Sequence, residues 1–195
     1  MKKQTIYYHF TSEALRDGTP IPAIGKWLIF NGVPIPCKCG LHASPDPFDA
    51  LQYAPGERLH RVYLSGTIVS HGSPVDKFAA QKRKIVASID ATPILRLFAR
   101  RVALDVIHLW DAPPIVKEYL ETGDESKRAA AWDAARAAAR AAARDAARDA
   151  TRAASWNAAR AAARDAKQKL YRGWFNEMIE AAFAAQKAAA RHEAG

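Results

Sequence analysis

Cysteine is scarce: the chain has two, Cys37 and Cys39, in 195 residues. With one residue between them they make no disulfide scaffold, and the expectation is a protein of a reducing, cytoplasmic compartment. Long apolar runs are missing as well. The longest candidate, Val102 to Trp110, is broken by Asp105 and His108 and falls short of the roughly 20 residues that span a bilayer, so no membrane partner is expected. Met1-Lys2-Lys3 is followed by Gln4, Thr5 and the group Tyr7-Tyr8-His9, not by an apolar segment with a small-residue cleavage site, so no secretory leader is expected in this stretch. Acid is in short supply: 29 Lys and Arg stand against 20 Asp and Glu, a formal charge of +9. The deficit is local. Residues 1–125 carry 15 basic and 13 acidic side chains, and residues 126–195 carry 14 and 7. Such an imbalance calls either for an acidic partner or for solubility of an otherwise apolar segment. No Ser/His/Asp set, phosphate loop or paired-carboxylate signature is present, so no catalytic residue and no cofactor is expected.

What is present divides in two. Residues 1–91 are rich in Pro, Gly, Tyr and His and read as short strands and turns. TIYYHF, KWLIFNG and RLHRVYLSGTIVSHG are strand candidates, KRKIVASID is a last strand, and PFDALQYA a short helix. Residues 92–125 read as connecting helices, with Leu95, Leu97, Phe98, Val102, Ile107 and Leu109 facing inward and Pro113-Pro114 in a first helical turn. Asp124 or Ser126 is the next N-cap. From Ser126 to Arg172 there is neither Gly nor Pro, and Ala and Arg are strong helix formers. Gly173 is expected to end or bend this helix, and Asp149 to Asn157 is its weakest stretch, because Asp, Thr, Ser and Asn divert backbone hydrogen bonds. The fold class is α+β: a small β-rich domain over 1–91, then an Ala/Arg-rich helical region over 126–195.

Within that region a cation recurs every fourth residue: Arg128, Arg136, Arg140, Arg144, Arg148, Arg152, Arg160 and Arg164, with Trp132 and Trp156 in the remaining slots. Four residues advance an α-helix by about 400°, so the column is a slow spiral. Neighbouring Arg residues repel, at about 0.2–0.5 kcal/mol per i,i+4 pair. Asp133, Asp145 and Asp149 sit three residues before Arg136, Arg148 and Arg152 and are expected to offset part of this; Arg140 and Arg144 have no such acid. Two readings follow. One is an Ala-packed helical layer, kept in water by Arg and anchored by Trp132 and Trp156, that supports a homo-oligomer. The other is a ladder of guanidinium groups that meets an acidic macromolecule, nucleic acid or a nucleoprotein complex.

The segment from Gly25 to Pro55 resembles a small uncharacterised domain of phage and prophage proteins. The likeness rests on Gly25-Lys26-Trp27, on Gly32 ahead of Ile35 and Cys37, and on the block Cys37-x-x-Gly40-Leu41-His42-Ala43. Pro47-x-Asp49-x-Leu51 with Tyr53 and Pro55, then Asp76-Lys77 with Ala80, extend it, so that it covers about residues 5–90. Ser44 stands where similar proteins often carry a second Cys. The resemblance implies a mobile-element accessory protein of the host cytoplasm, of the kind that antagonises CRISPR-type defence complexes.

Three further groups carry chemistry. Cys37-x-Cys39-x-x-His42 has metal-ligating residue types, but zinc needs four ligands, and a fourth would have to come from His9, His60 or His71; a small buried Cys pair with a hydrogen-bonded His is the plainer reading, and no metal is expected. YYHFTS followed by GLHASPDPFDALQYA resembles ADP-ribosyltransferases, which implies a pocket lined by His9, His42 and Tyr53, although Glu57, Glu118 and Glu121 do not fall on a late strand as a catalytic Glu would. Asp76-Lys77 and Lys82-Arg83-Lys84 place charge near a strand, either extending a basic surface from the first domain or, as the plainer reading, simply solvated. The leading expectation is a non-enzymatic binder of an acidic partner; an ADP-ribosyltransferase-like enzyme and a structural helical oligomeriser are the alternatives.

Overall fold

The computed structural model describes residues 4–148 and 157–193, and the side chains among them except those of 142–148, 157–163 and 193. The fold is α+β, in two compact units: the first joins residues 1–94 to Trp174 and beyond, the second is Leu95–Gly173. Residues 126–195, read from the sequence as one region, are thereby shared between the two.

In the first unit five strands form one antiparallel sheet: β1 Tyr7–Thr11, β2 Trp27–Ile29, β3 Leu41–Ala43, β4 Arg58–His71 and β5 Lys77–Asp90. The order is β1-β4-β5-β2, with β3 also on β5. β4 has the β-branched and aromatic residues of a strand, and register shifts between Arg61 and Val62 and between Ser65 and Ile68 bend the ribbon. Tyr8 pairs with Ser44 just beyond β3, N to O at 2.9 and 2.8 Å, so the path β1-β4-β5-β3 returns to β1. β5 is longer than KRKIVASID and starts at Lys77, because the Lys77–Ala80 stretch pairs with β4 and with β3. α1, Pro47–Leu51, carries Pro in its first turn, and Asp46 caps it by accepting from the Asp49 N–H at 3.0 Å. Ala43, Val62 and Ile85 form a buried cluster against Tyr7, Ile21 and Leu64.

The other cover of the sheet comes from α5, Asn157–Glu193. This helix continues through Gly173, so the end expected there as one of two outcomes does not occur: one Gly costs only about 1 kcal/mol in a helix, and buried side chains follow it. Beyond Gly173 the stripe Phe175, Ile179 and Phe183 is at most 2% exposed. Phe175 meets Phe48 edge-on at 6.3 Å between ring centroids, and the Arg61 guanidinium lies 4.2 Å from the centre of the Phe183 ring. Glu180 accepts from the Tyr8 hydroxyl at 2.6 Å and pairs with Arg61. Gln186 Nε2 donates to the Ser88 carbonyl at 2.7 Å, and the Phe48 N–H donates to Asn176 Oδ1 at 3.1 Å.

The second unit holds most of α2, Thr92–Asp105, with α3, Pro114–Thr122, α4, Arg128–Arg148, and the first part of α5. Its apolar interior is thin: Ala112, Val116 and Ala131 are its fully buried apolar side chains among the described residues. Leu97 and Leu109, expected inward, are 48% and 72% exposed. Gly123 ends α3 in a left-handed conformation, its N–H on the Tyr119 carbonyl at 2.8 Å. Asp124, not Ser126, is the cap that follows, its carboxylate accepting from the Ser126 N–H at 3.0 Å. Polar ties supplement the small core: Arg96 with Glu125 at 3.7 Å, Lys127 with Glu118, and Asp105 accepting from Lys167 and from the Tyr171 hydroxyl at 2.9 Å. The weak stretch read at Asp149 to Asn157 falls, but for its final residue, outside the described residues. Among the described residues no helix is long and apolar enough to cross a membrane.

Candidate functional site

The sheet unit contains a cleft of about 870 Å³, within the range of small-ligand sites. His9, His42 and Tyr53, the three pocket residues read from the sequence, all line it. β1 supplies His9, β3 supplies His42, and the turn after α1 supplies Tyr53. Two residues read as surface charge line it too: Lys77 and Arg83 of β5 are 7% and 6% exposed. Their burial corrects the reading of these positions as solvated.

A strained loop forms one wall. Ile35 and Cys39 bond each other's backbones, N to O at 3.0 and 2.9 Å. At the tip Cys37 takes φ +66°, a left-handed conformation unusual for a side chain with Cβ. Cys37 is exposed and Cys39 half-buried, so the expected buried Cys pair is not what the loop forms. The Cys37 N–H donates to His42 Nε2 at 3.2 Å. An imidazole whose Nε2 accepts carries its proton on Nδ1 and is neutral. Lys77 Nζ lies 3.2 Å from Cys37 Sγ and 3.7 Å from the centre of the Tyr53 ring. The Tyr53 hydroxyl donates to Asp76 Oδ2 at 2.5 Å, a bond that, more than burial, pushes its pKa up to about 12. Arg83 Nη1 donates to the His42 carbonyl at 2.7 Å.

The electrostatics follow. Burial, then Lys77, Arg83 and Arg16, lower the His42 pKa. Burial, then Arg83 with His60 and His42, hold His9 well below the usual imidazole range. Burial alone brings the Arg83 guanidinium down to about 10. His60, fully buried behind the cleft, bonds Thr11 Oγ1 at 2.9 Å and Ser88 Oγ at 2.5 Å. Among the described charged side chains of the lining, Arg16, Lys38, Lys77 and Arg83 oppose one carboxylate, Asp17, with Asp76 behind Tyr53. Among the described residues no Glu lines the cleft; Glu57 accepts from the Thr92 hydroxyl at 2.8 Å. Among the described residues no three His, Cys, Asp or Glu side chains converge as a metal site would require.

The arginine column is a separate feature of the helical unit. Arg128, Arg136, Arg140 and Arg164 are exposed. Arg128 lies 3.6 Å from Glu125; Arg136, Arg140 and Arg164 form no ion pair among the described residues. Asp133 does not pair with Arg136 as its spacing led one to expect. On α4 Ala131 is buried and Ala134, Ala135 and Ala138 are half-buried, while Trp132 is 66% exposed. Trp132 is therefore no anchor: the Ala stripe faces inward, and Trp and Arg share the open side. The side chains of Arg144, Arg148 and Arg160, and Arg152 and Trp156 altogether, lie outside the described residues.

Residues 5–97 match the family model of a domain of unknown function, DUF7666. The match ends within α2, so it takes in every strand of the sheet and the whole lining of the cleft, and none of the arginine column. Neither curated proteins nor solved structures give a match to the chain. Sequence reasoning found the histidines and Tyr53 but missed Lys77, Arg83 and Cys37 as neighbours. One signal was available: Ala79 and Ala80 place small residues beside Lys77, as a strand does where its neighbours are buried.

Proposed function

We propose that the protein is a non-enzymatic accessory factor that binds a large acidic partner, nucleic acid or a nucleoprotein complex, through the arginine column of α4. The observation that carries this reading is that Arg136 and Arg140 stand exposed and without an ion pair among the described residues, on a helix whose inward side is Ala. Repulsion between guanidinium groups one turn apart is relieved when phosphates enter between them, and counterion release adds to the gain. Exposed Trp132 on the same open side offers a flat surface for stacking. An origin in a mobile element, and action against a host defence complex, rest on the resemblance of residues 5–90 alone. The enzyme alternative has the shared cleft of His9, His42 and Tyr53 in its favour and no Glu among the described residues of that cleft.

The test is a mobility-shift titration with a 30-nucleotide single strand and the matching duplex at several salt concentrations. Affinity is expected to fall steeply as salt rises. Arg136→Ala with Arg140→Ala is expected to flatten the log–log slope by about 1.4–1.8, since each lost phosphate contact removes about 0.7 on single strands and about 0.9 on duplex DNA. Binding that does not respond to salt, or a double variant with an unchanged slope, counts against the proposal.

A further inference from the structure

The cleft of the sheet unit is a separate matter from the arginine column, and its charge balance is unusual. Removing an ammonium or a guanidinium from water costs several kcal/mol after relaxation, unless an opposite charge accompanies it. Lys77 and Arg83 are both more than nine-tenths buried, and neither forms an ion pair among the described residues. Lys77 has a thiol and a ring face for neighbours. Of the five N–H groups of a guanidinium, Arg83 uses one, on the His42 carbonyl. The rest of its donor capacity and the Lys77 charge belong to the cleft lining.

We propose that this cleft binds a small, multiply charged phosphorylated ligand, with Lys77 and Arg83 as its buried cationic partners and Arg16 and Lys38 at the exposed rim. Four cations against the one carboxylate of Asp17 leave the lining with a formal +3, which matches a diphosphate or phosphate ester better than a lone carboxylate. The volume of about 870 Å³ accommodates a group of nucleotide size. The neutral His42 keeps its Nδ1–H as a donor because the Cys37 N–H occupies Nε2. The guanidinium fork suits phosphate oxygens, and Lys supplies a point charge. Burial is the larger cause of the lowered His9 and His42 pKa values; Arg83 adds to it at both, and Lys77 and Arg16 at His42. The left-handed Cys37 is the strained residue at the wall, where binding sites keep such conformations.

The experiment is isothermal calorimetry with pyrophosphate and with ADP on the full chain at fixed ionic strength, with inorganic sulfate as a control for bulk charge. Saturable binding is expected, weakened at least tenfold by Lys77→Met and by Arg83→Met, and about threefold or more by Arg16→Ala with Lys38→Ala. The last pair is exposed and leaves the folded sheet in place should the buried variants fail to fold. Lys82→Ala, also exposed and outside the lining, is expected to bind as the parent does. On the unaltered protein, the His42 ring resonances are expected to titrate at higher pH with pyrophosphate bound than without it. No saturable heat with either probe overturns the proposal. So does affinity unchanged in Arg16→Ala with Lys38→Ala, or a His42 titration that pyrophosphate leaves in place. The Arg136→Ala, Arg140→Ala protein is expected to bind pyrophosphate normally, which separates a failure here from a failure of the macromolecular reading.

Discussion

Phe175→Ala is expected to lower the unfolding free energy of the sheet unit by about 3–5 kcal/mol, the range for removing a fully buried aromatic side chain. Phe175 is fully buried and meets Phe48 of α1, and the adjacent Asn176 ties the start of that helix through the Phe48 N–H. Its loss leaves a cavity where the ring met Phe48. Domain stabilities run to about 5–15 kcal/mol, so the variant stands near the edge of folding. Urea titrations read by tryptophan fluorescence and by far-ultraviolet circular dichroism check this. The exposed neighbour Glu177→Ala is the control, expected within about 0.5 kcal/mol of the parent. Equal midpoints for Phe175→Ala and the parent would mean that the helix beyond Gly173 does not support the sheet.

The second large effect is expected with acid. Burial, then Arg83 and Arg58, bring His60 from 6.5 down to about 4. The folded protein thus holds this imidazole neutral, while the unfolded chain takes up a proton below pH 6.5. His60 therefore contributes its full stability above pH 6.5, and the contribution is lost as pH falls from 6.5 towards 4. The loss is on the order of 3 kcal/mol, from the linkage relation at 1.36 kcal/mol per pKa unit. His9, lowered by burial and the same Arg83, adds a loss of the same sign. Urea midpoints at pH 7.5, 5.5 and 4.5 check the prediction; most carboxylates stay ionised over that interval. The midpoint is expected to fall steadily, and His60→Gln to flatten the fall. A midpoint independent of pH between 7.5 and 4.5 rules out a neutral buried His60.

Much of the architecture was legible in the residues. The β-branched run of β4 and the Pro-led starts of α1 and α3 lie where the residue types place them, because local preference and tertiary packing agree there. Three misreadings share a cause. Lys77 and Arg83 read as solvated because charged side chains are rarely buried, and nothing in the spacing of one strand reveals which loops fold over it. The Gly173 position reads as an end or a bend because its local cost is visible, whereas the burial of Phe175, Ile179 and Phe183 in the sheet unit is not. Leu97, Leu109 and Trp132 read as inward by apolar character, but the helical unit has too little interior to cover them. The cleft shows the same division. Its histidines stand out by type, while its buried cations and the left-handed Cys37 arise from contacts between β5, β3 and a loop far from both in the chain.

The order in which the ribosome delivers these parts has its own consequence. All five strands emerge before Leu95–Gly173, and the stripe that shields them is made only after that whole segment. During the interval the nascent sheet carries Tyr8, Arg61 and its apolar neighbours without their cover. A polypeptide in this condition is open to chaperones and to premature association. Shortening the wait, by moving the segment beyond Gly173 closer to β5 in a permuted gene, should therefore raise the yield of correctly folded protein.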